Sequence, residues 1–156
     1  MVKDIKISLL VRAVLLLLIS LVVTQGSKGQ NTKKAKHGIQ FSNRAYNEIL
    51  DEAKVSHKLI FVDAYATWCI PCKQLKKISF QDKNAADYYN KTFINYSIDV
   101  EKGSGPDLAK MWGITGLPTL LILDEGGEVL GTHVGFVDGN GLLQFAKATV
   151  SRRPNL

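Results

Sequence analysis

The chain has 156 residues, 46% of them hydrophobic, enough for one domain with a real core and too few for two comfortable ones. Its formal charge of +6 is confined to the front, since residues 1–38 carry seven Lys or Arg against one acid while residues 39–156 carry thirteen of each. A neutral body offers no footprint for a phosphate backbone, so nucleic-acid binding is excluded as the task of the folded part.

In chain order, Lys3, Lys6 and Arg12 precede an unbroken apolar run, AVLLLLISLVV at residues 13–23, followed by polar and small residues. A basic start, a short apolar stretch and small residues behind it make a signal-peptide shape over residues 1–25. Counted back through Ile7 and Ile5 the apolar stretch approaches the roughly 20 residues that span a bilayer, so an uncleaved membrane anchor is the alternative. No Cys follows the run, which argues against a lipid-modified N-terminus. Residues 26–38 form a basic leader with too little apolar content to fold. The expected location is therefore the periplasm or another extracytoplasmic space, with the protein secreted or held by its N-terminal helix, and membrane contact through that segment alone.

The body, residues 39–152, opens with a predicted short strand at Ile39–Phe41. Ser42 is an N-cap candidate before a helical pattern of Ala45, Ile49, Leu50 and Ala53. Lys58–Tyr65 is a β-rich apolar run of the kind buried on both faces of a parallel sheet. After Trp68 the pattern turns helical, with Leu75 and Ile78 inside and Lys73, Lys76 and Lys77 outside, and a second helical stretch surrounds Ala85–Tyr89. Phe93–Val100 alternates as a strand. Pro106–Trp112 reads as a short helix with Pro near its start and Gly113 at its end. Thr119–Leu123 and Glu128–Val134 pair as a hairpin across Asp124-Glu125-Gly126-Gly127, and Leu142–Val150 closes as a helix. The order βαβαβαββα predicts an α/β fold with a central mixed sheet and helices on both faces, a three-layer α/β/α arrangement.

The two cysteines stand three residues apart as Cys69-Ile70-Pro71-Cys72. A bridge that short constrains the unfolded chain little, so stability is a poor reason for it. Directly after a buried strand and at the opening of a helix, the same pair has redox meaning. Unpaired backbone N–H groups and the positive end of the helix dipole favour thiolate over thiol there. Pro71 occupies a position where its missing N–H costs nothing and its fixed φ stiffens the turn. Cys69, the N-terminal and more exposed sulfur, is the expected nucleophile, and Cys72 the resolving thiol. A zinc site is disfavoured: structural zinc takes four ligands, and His37, His57 and His133 show no paired spacing near the cysteines.

Val62-Asp-Ala-Tyr-Ala-Thr-Trp-Cys-Ile-Pro-Cys-Lys73 resembles the active-site stretch of the thioredoxin family, and Ile114-Thr-Gly-Leu-Pro-Thr-Leu-Leu-Ile-Leu123 resembles its cis-proline strand. The likeness runs from about Phe41 to Val150. The spacing from Cys72 to Pro118 and the stretch from Gly116 to Asp138 are similar to the thioredoxin-like domains of periplasmic disulfide reductases such as the C-terminal domain of DsbD. The resemblance implies a thioredoxin fold and a role for each matching residue. Asp63 matches a buried acid beneath the dithiol, its pKa raised by burial, that accepts the Cys72 proton; an acid at a strand end is the alternative. Pro118 matches the cis-proline that faces the sulfurs, and Leu117 before it would offer backbone groups to an extended substrate. Trp68 would shield the thiol or serve as a core aromatic. Gly135 would keep the substrate groove open or simply end the hairpin. With Ile70 and Pro71 these residues would form the substrate surface.

The departures are as informative. Ile70 replaces the glycine usual in cytosolic thioredoxin, Lys77 stands where a helix proline is common, and the lysine often near the buried acid has no match in Asn95–Asp99. Strong oxidants of the family carry a His between the cysteines, where Pro71 stands here. A comparatively reducing couple is expected. The implied protein is an exported thiol-disulfide oxidoreductase, expected to be a monomer, acting on disulfide-bonded or dithiol proteins, with no cofactor or metal beyond its own cysteine pair and with a membrane thiol donor. The alternatives are an oxidant or isomerase of the same fold, or a non-catalytic binding module. A reductase dedicated to cytochrome c maturation is a further possibility, for which no clear acidic insertion is present.

Overall fold

The computed structural model describes residues 37–152. The signal or anchor and most of the leader lie outside them. Five helices and four strands follow in order: α1 (Tyr46–Ser56), β1 (Leu59–Tyr65), α2 (Ile70–Lys77), a 3-10 turn (Ser79–Gln81), α3 (Lys83–Thr92), β2 (Phe93–Asp99), α4 (Gly105–Met111), β3 (Thr119–Leu123), β4 (Val129–Val134) and α5 (Gly139–Ser151). The sheet order is β2-β1-β3-β4. β1 and β2 are parallel, and β3 runs antiparallel to both β1 and β4. The mixed three-layer arrangement is the predicted one.

Strand alternation explains the layers. Leu59 and Phe61 of β1 join a core with Phe93, Leu120, Ile122, Leu75 of α2, Tyr89 of α3 and Leu142 of α5. Ile60, Val62 and Ala64 point the other way, toward Ile49 and Ala53 of α1 and Leu108 of α4. A strand that is apolar on both faces, Asp63 excepted, is therefore one buried on both sides, and β1 is buried along all but its last residue. Helix ends follow their capping chemistry: Asp82 and Asp138 accept backbone N–H bonds from Ala85 and Gly141 at 2.8 and 2.7 Å, as N-caps of α3 and α5. In the hairpin, Asp124 accepts from the N–H groups of Gly126 and Glu128, and Gly127 takes a φ of +92° that favours glycine.

Two expectations at the front of the body are corrected. Ile39–Phe41 forms no strand; the segment touches the sheet at a single parallel bridge, Ser42 to Tyr96. Ser42 is also no helix cap. Its backbone N–H donates to Asn95 O at 2.8 Å, its Oγ accepts from the Arg44 backbone N–H and Nε instead of a helix N-terminus, and α1 starts later, behind Ala45, with no side-chain cap. Pairing to a distant strand outcompeted the local capping preference.

Candidate active site

β1 ends at Tyr65, and four residues later Cys69 caps α2. Its Sγ accepts a hydrogen bond from the Cys72 N–H at 3.2 Å. Pro71 lies in the first turn of the helix, where no N–H is required of it. Cys69 and Cys72 are joined as a disulfide with Cα atoms 5.3 Å apart. They form a small cluster with Ala66, against which Tyr65, Val100 and Leu117 pack. Cys69 is only 3% exposed and Cys72 1%; the expected contrast in exposure is slight in the disulfide form, because Leu117 packs on the same cluster.

The acid lies under the helix. Asp63 shares its strand face with Leu59 and Phe61, the face that packs on Leu75 of α2, and it is 1% exposed. Its Oδ2 accepts a hydrogen bond from the Ser97 hydroxyl at 2.9 Å, across the Asp63–Ser97 register pair of β1 and β2. Oδ1 is buried without a partner. Burial raises its pKa to about 6, while the Ser97 bond and the charge of Lys76 pull the other way. Lys76 follows Cys72 by four residues, one helical turn along the same face, and its ammonium sits 3.2 Å from the centre of the Tyr65 ring. Ser97 and Lys76 escaped the sequence reading, which looked for a lysine on β2. The i, i+4 spacing from Cys72 was the available signal.

The rim is built from three segments. The Leu117–Pro118 bond is cis, and Pro118 stands one residue beyond the Ala64–Thr119 pair, where β1 turns toward the dithiol. Pro118 O accepts the Gly135 N–H at 2.8 Å. Gly135 has a φ of +98°, and a Cβ there would meet nothing within 4 Å, so backbone conformation rather than crowding requires the glycine. Trp68 is 64% exposed and Ile70 69%. Trp68 is thus no core aromatic; its indole N–H donates to Glu101 at 2.8 Å, and with Val100, Ile114, Gly116 and Leu117 it lines a groove of about 480 Å³. Among the described residues no group of three or more His, Cys, Asp or Glu is gathered as a metal site.

Residues 46–149 match the family model of the thioredoxin-like domain. The chain belongs to the thioredoxin-like family. It is similar to the thiol:disulfide interchange protein DsbD of Haemophilus influenzae, with 29% identity over 121 residues, covering 74% of this chain and 21% of that protein. The chain thus spans about a fifth of that curated relative. A solved structure of a candidate disulphide isomerase from Bacteroides thetaiotaomicron shares 43% identity with a TM-score of 0.67, covering 75% of this chain and 97% of the other. A thioredoxin from Thermus thermophilus, 20% identical over 74% of this chain and 87% of its own, superposes with a TM-score of 0.60 and shows the common fold. The matched region is a thioredoxin-like domain with its cysteine pair at the head of α2.

Proposed function

We propose that the protein is an exported thiol-disulfide oxidoreductase that reduces disulfides in extracytoplasmic proteins. The observation that carries this is the Cys69–Cys72 bond at the start of α2, behind a buried acid and beside an open groove. In the reducing cycle the Cys69 thiolate attacks a partner disulfide, forming one S–S bond and expelling the partner's other sulfur as a thiolate. Cys72 then gives its proton to Asp63 and attacks Cys69, closing the internal disulfide and releasing the partner's second sulfur. Two electrons pass to the partner. A donor dithiol outside the cytosol, of the membrane thiol-carrier class, restores the pair. Pro118 and Leu117 place an extended substrate strand beside the sulfurs, with Trp68, Ile70, Pro71 and Gly135 around it. The apolar run behind Lys3, Lys6 and Arg12 supports export; it lies outside the described residues, and among those no helix is long and apolar enough to cross a membrane.

The test is reduction of insulin by the dithiol form, with a Cys69→Ser variant inactive and Cys72→Ser trapping partners as mixed disulfides. Activity unchanged in Cys69→Ser overturns the reading. Equilibration with glutathione decides direction: a potential as oxidising as roughly −120 mV refutes the reducing assignment. The likeness to the Bacteroides protein favours disulfide isomerisation as the second reading, in which Cys69 attacks, reshuffles and is expelled without net reduction; recovery of activity from scrambled ribonuclease measures it.

A further inference from the structure

Resolution of the mixed disulfide deposits a proton on an acid that is 1% exposed, at a moment when substrate covers the dithiol. We propose that Ser97 and Lys76 are positioning residues that keep Asp63 ready to accept that proton and connect it to solvent through a crevice separate from the substrate face. This rests on the exchange cycle above.

The geometry has three parts. Ser97 occupies Asp63 Oδ2 as a donor, which leaves the unpartnered Oδ1 as the place for the incoming proton. Lys76, one turn beyond Cys72, carries a positive charge that favours the Asp63 carboxylate. Both residues line a crevice of about 270 Å³ whose apolar wall is Ile39, Phe41 and Phe80, roomy enough for several waters at about 30 Å³ each; Asp63 itself does not line it and meets it through the Ser97 hydroxyl. None of Trp68, Cys69, Leu117 or Pro118 lines it. The groove beside the dithiol is a different one, walled by Trp68 and Leu117. A substrate seated there leaves the crevice uncovered.

The step balances as follows. The Cys72 proton moves to Asp63 Oδ1, a bond forms between the Cys72 and Cys69 sulfurs, and the bond from Cys69 to the substrate sulfur breaks with its electron pair leaving as thiolate. The protonated carboxyl then turns to donate to the Ser97 oxygen, Ser97 passes its own hydroxyl proton to crevice water, and Asp63 returns to carboxylate. The groups acting on Asp63 are Ser97 from β2, Lys76 from α2, and its β3 register partner Leu120, which carries no charge. Ser97 and Lys76 both favour the carboxylate, so removing either raises the pH below which Asp63 no longer accepts.

A single-turnover assay with a chromogenic aryl disulfide reads this directly. Its thiolate leaves without a proton, so the acid limb of the release phase reports the Cys72–Asp63 transfer. Ser97→Val, which keeps the bulk of Thr but lacks the hydroxyl, is expected to move the limb up by about one pH unit, a slowing of roughly tenfold on that limb. Ser97→Thr restores it, and the exposed Lys76 moves it less in Lys76→Gln, about half a unit. Limbs unmoved in folded Ser97→Val and Lys76→Gln overturn the positioning role. For the outlet, the Asp63 carboxyl ¹³C signal is followed in Cys72→Ala protein carrying glutathione on Cys69. One resonance moving smoothly with pH is expected; two slowly exchanging resonances overturn the outlet. Loss of the exchange reaction itself in wild type would refute the cycle instead, so the two failures are distinguishable.

Discussion

Asp63→Asn should make the oxidised protein more stable at neutral pH. In the fold the carboxyl titrates at about 6 against an ordinary 3.8, so the folded state holds the proton more tightly than the unfolded chain. Such a group favours folding fully below pH 3.8, and this contribution is lost as pH rises through 6. A displacement of about two units at 1.36 kcal/mol each corresponds to on the order of 3 kcal/mol at pH 7. The amide carries no charge to desolvate, and its oxygen can still accept from Ser97. The expected gain is therefore up to about 3 kcal/mol at pH 7, or about 10 °C in Tm for a domain of this size, shrinking steadily toward pH 3.8. Urea unfolding of both proteins across that range measures it, alongside a reduction assay in which the variant is slower because Cys72 lacks its acceptor. Equal stability of the two at pH 7, or a difference that does not close with acid, would refute the account of Asp63 as a carboxylate held at a cost.

Leu75→Ala empties a fully buried position between α2 and the sheet and should lower unfolding free energy by about 2–5 kcal/mol, read in denaturant titration. Trp68→Ala should raise KM for protein substrates severalfold while sparing small aryl disulfides, since the exposed ring lines the groove and packs in no core cluster. Gly135→Ala should lose about 1–2 kcal/mol by thermal unfolding, from left-handed backbone strain alone, as open space surrounds the new methyl.

What the chain disclosed by itself was mostly local. β1, the cysteine pair and the hairpin turn each carry their information within a few residues, and Asp63 betrayed itself as an acid inside an apolar run. Contacts made by distant residues were harder to see. The segment at Ile39–Phe41 has strand composition, yet pairing depends on what β2 offers, and the bridge to it forms at Ser42, beyond the segment. Trp68 could be core or rim by composition, and its place depended on Glu101 thirty-three positions away. The acid's partners were sought on β2 as a lysine, whereas a hydroxyl stands there and the cation comes from the dithiol helix.

The bridge at Ser42 bears on the outer edge of the sheet. An open flank of β2 would be a row of unsatisfied backbone groups ready to recruit other strands. The front segment occupies part of that flank, with Ser42 donating to Asn95 and the Asn95 side chain reaching Gln40 O. Trimming the polypeptide past Ser42 would leave every described helix and strand intact and still strip the guard from one side of the sheet, which sets the limit to which a soluble fragment can be shortened.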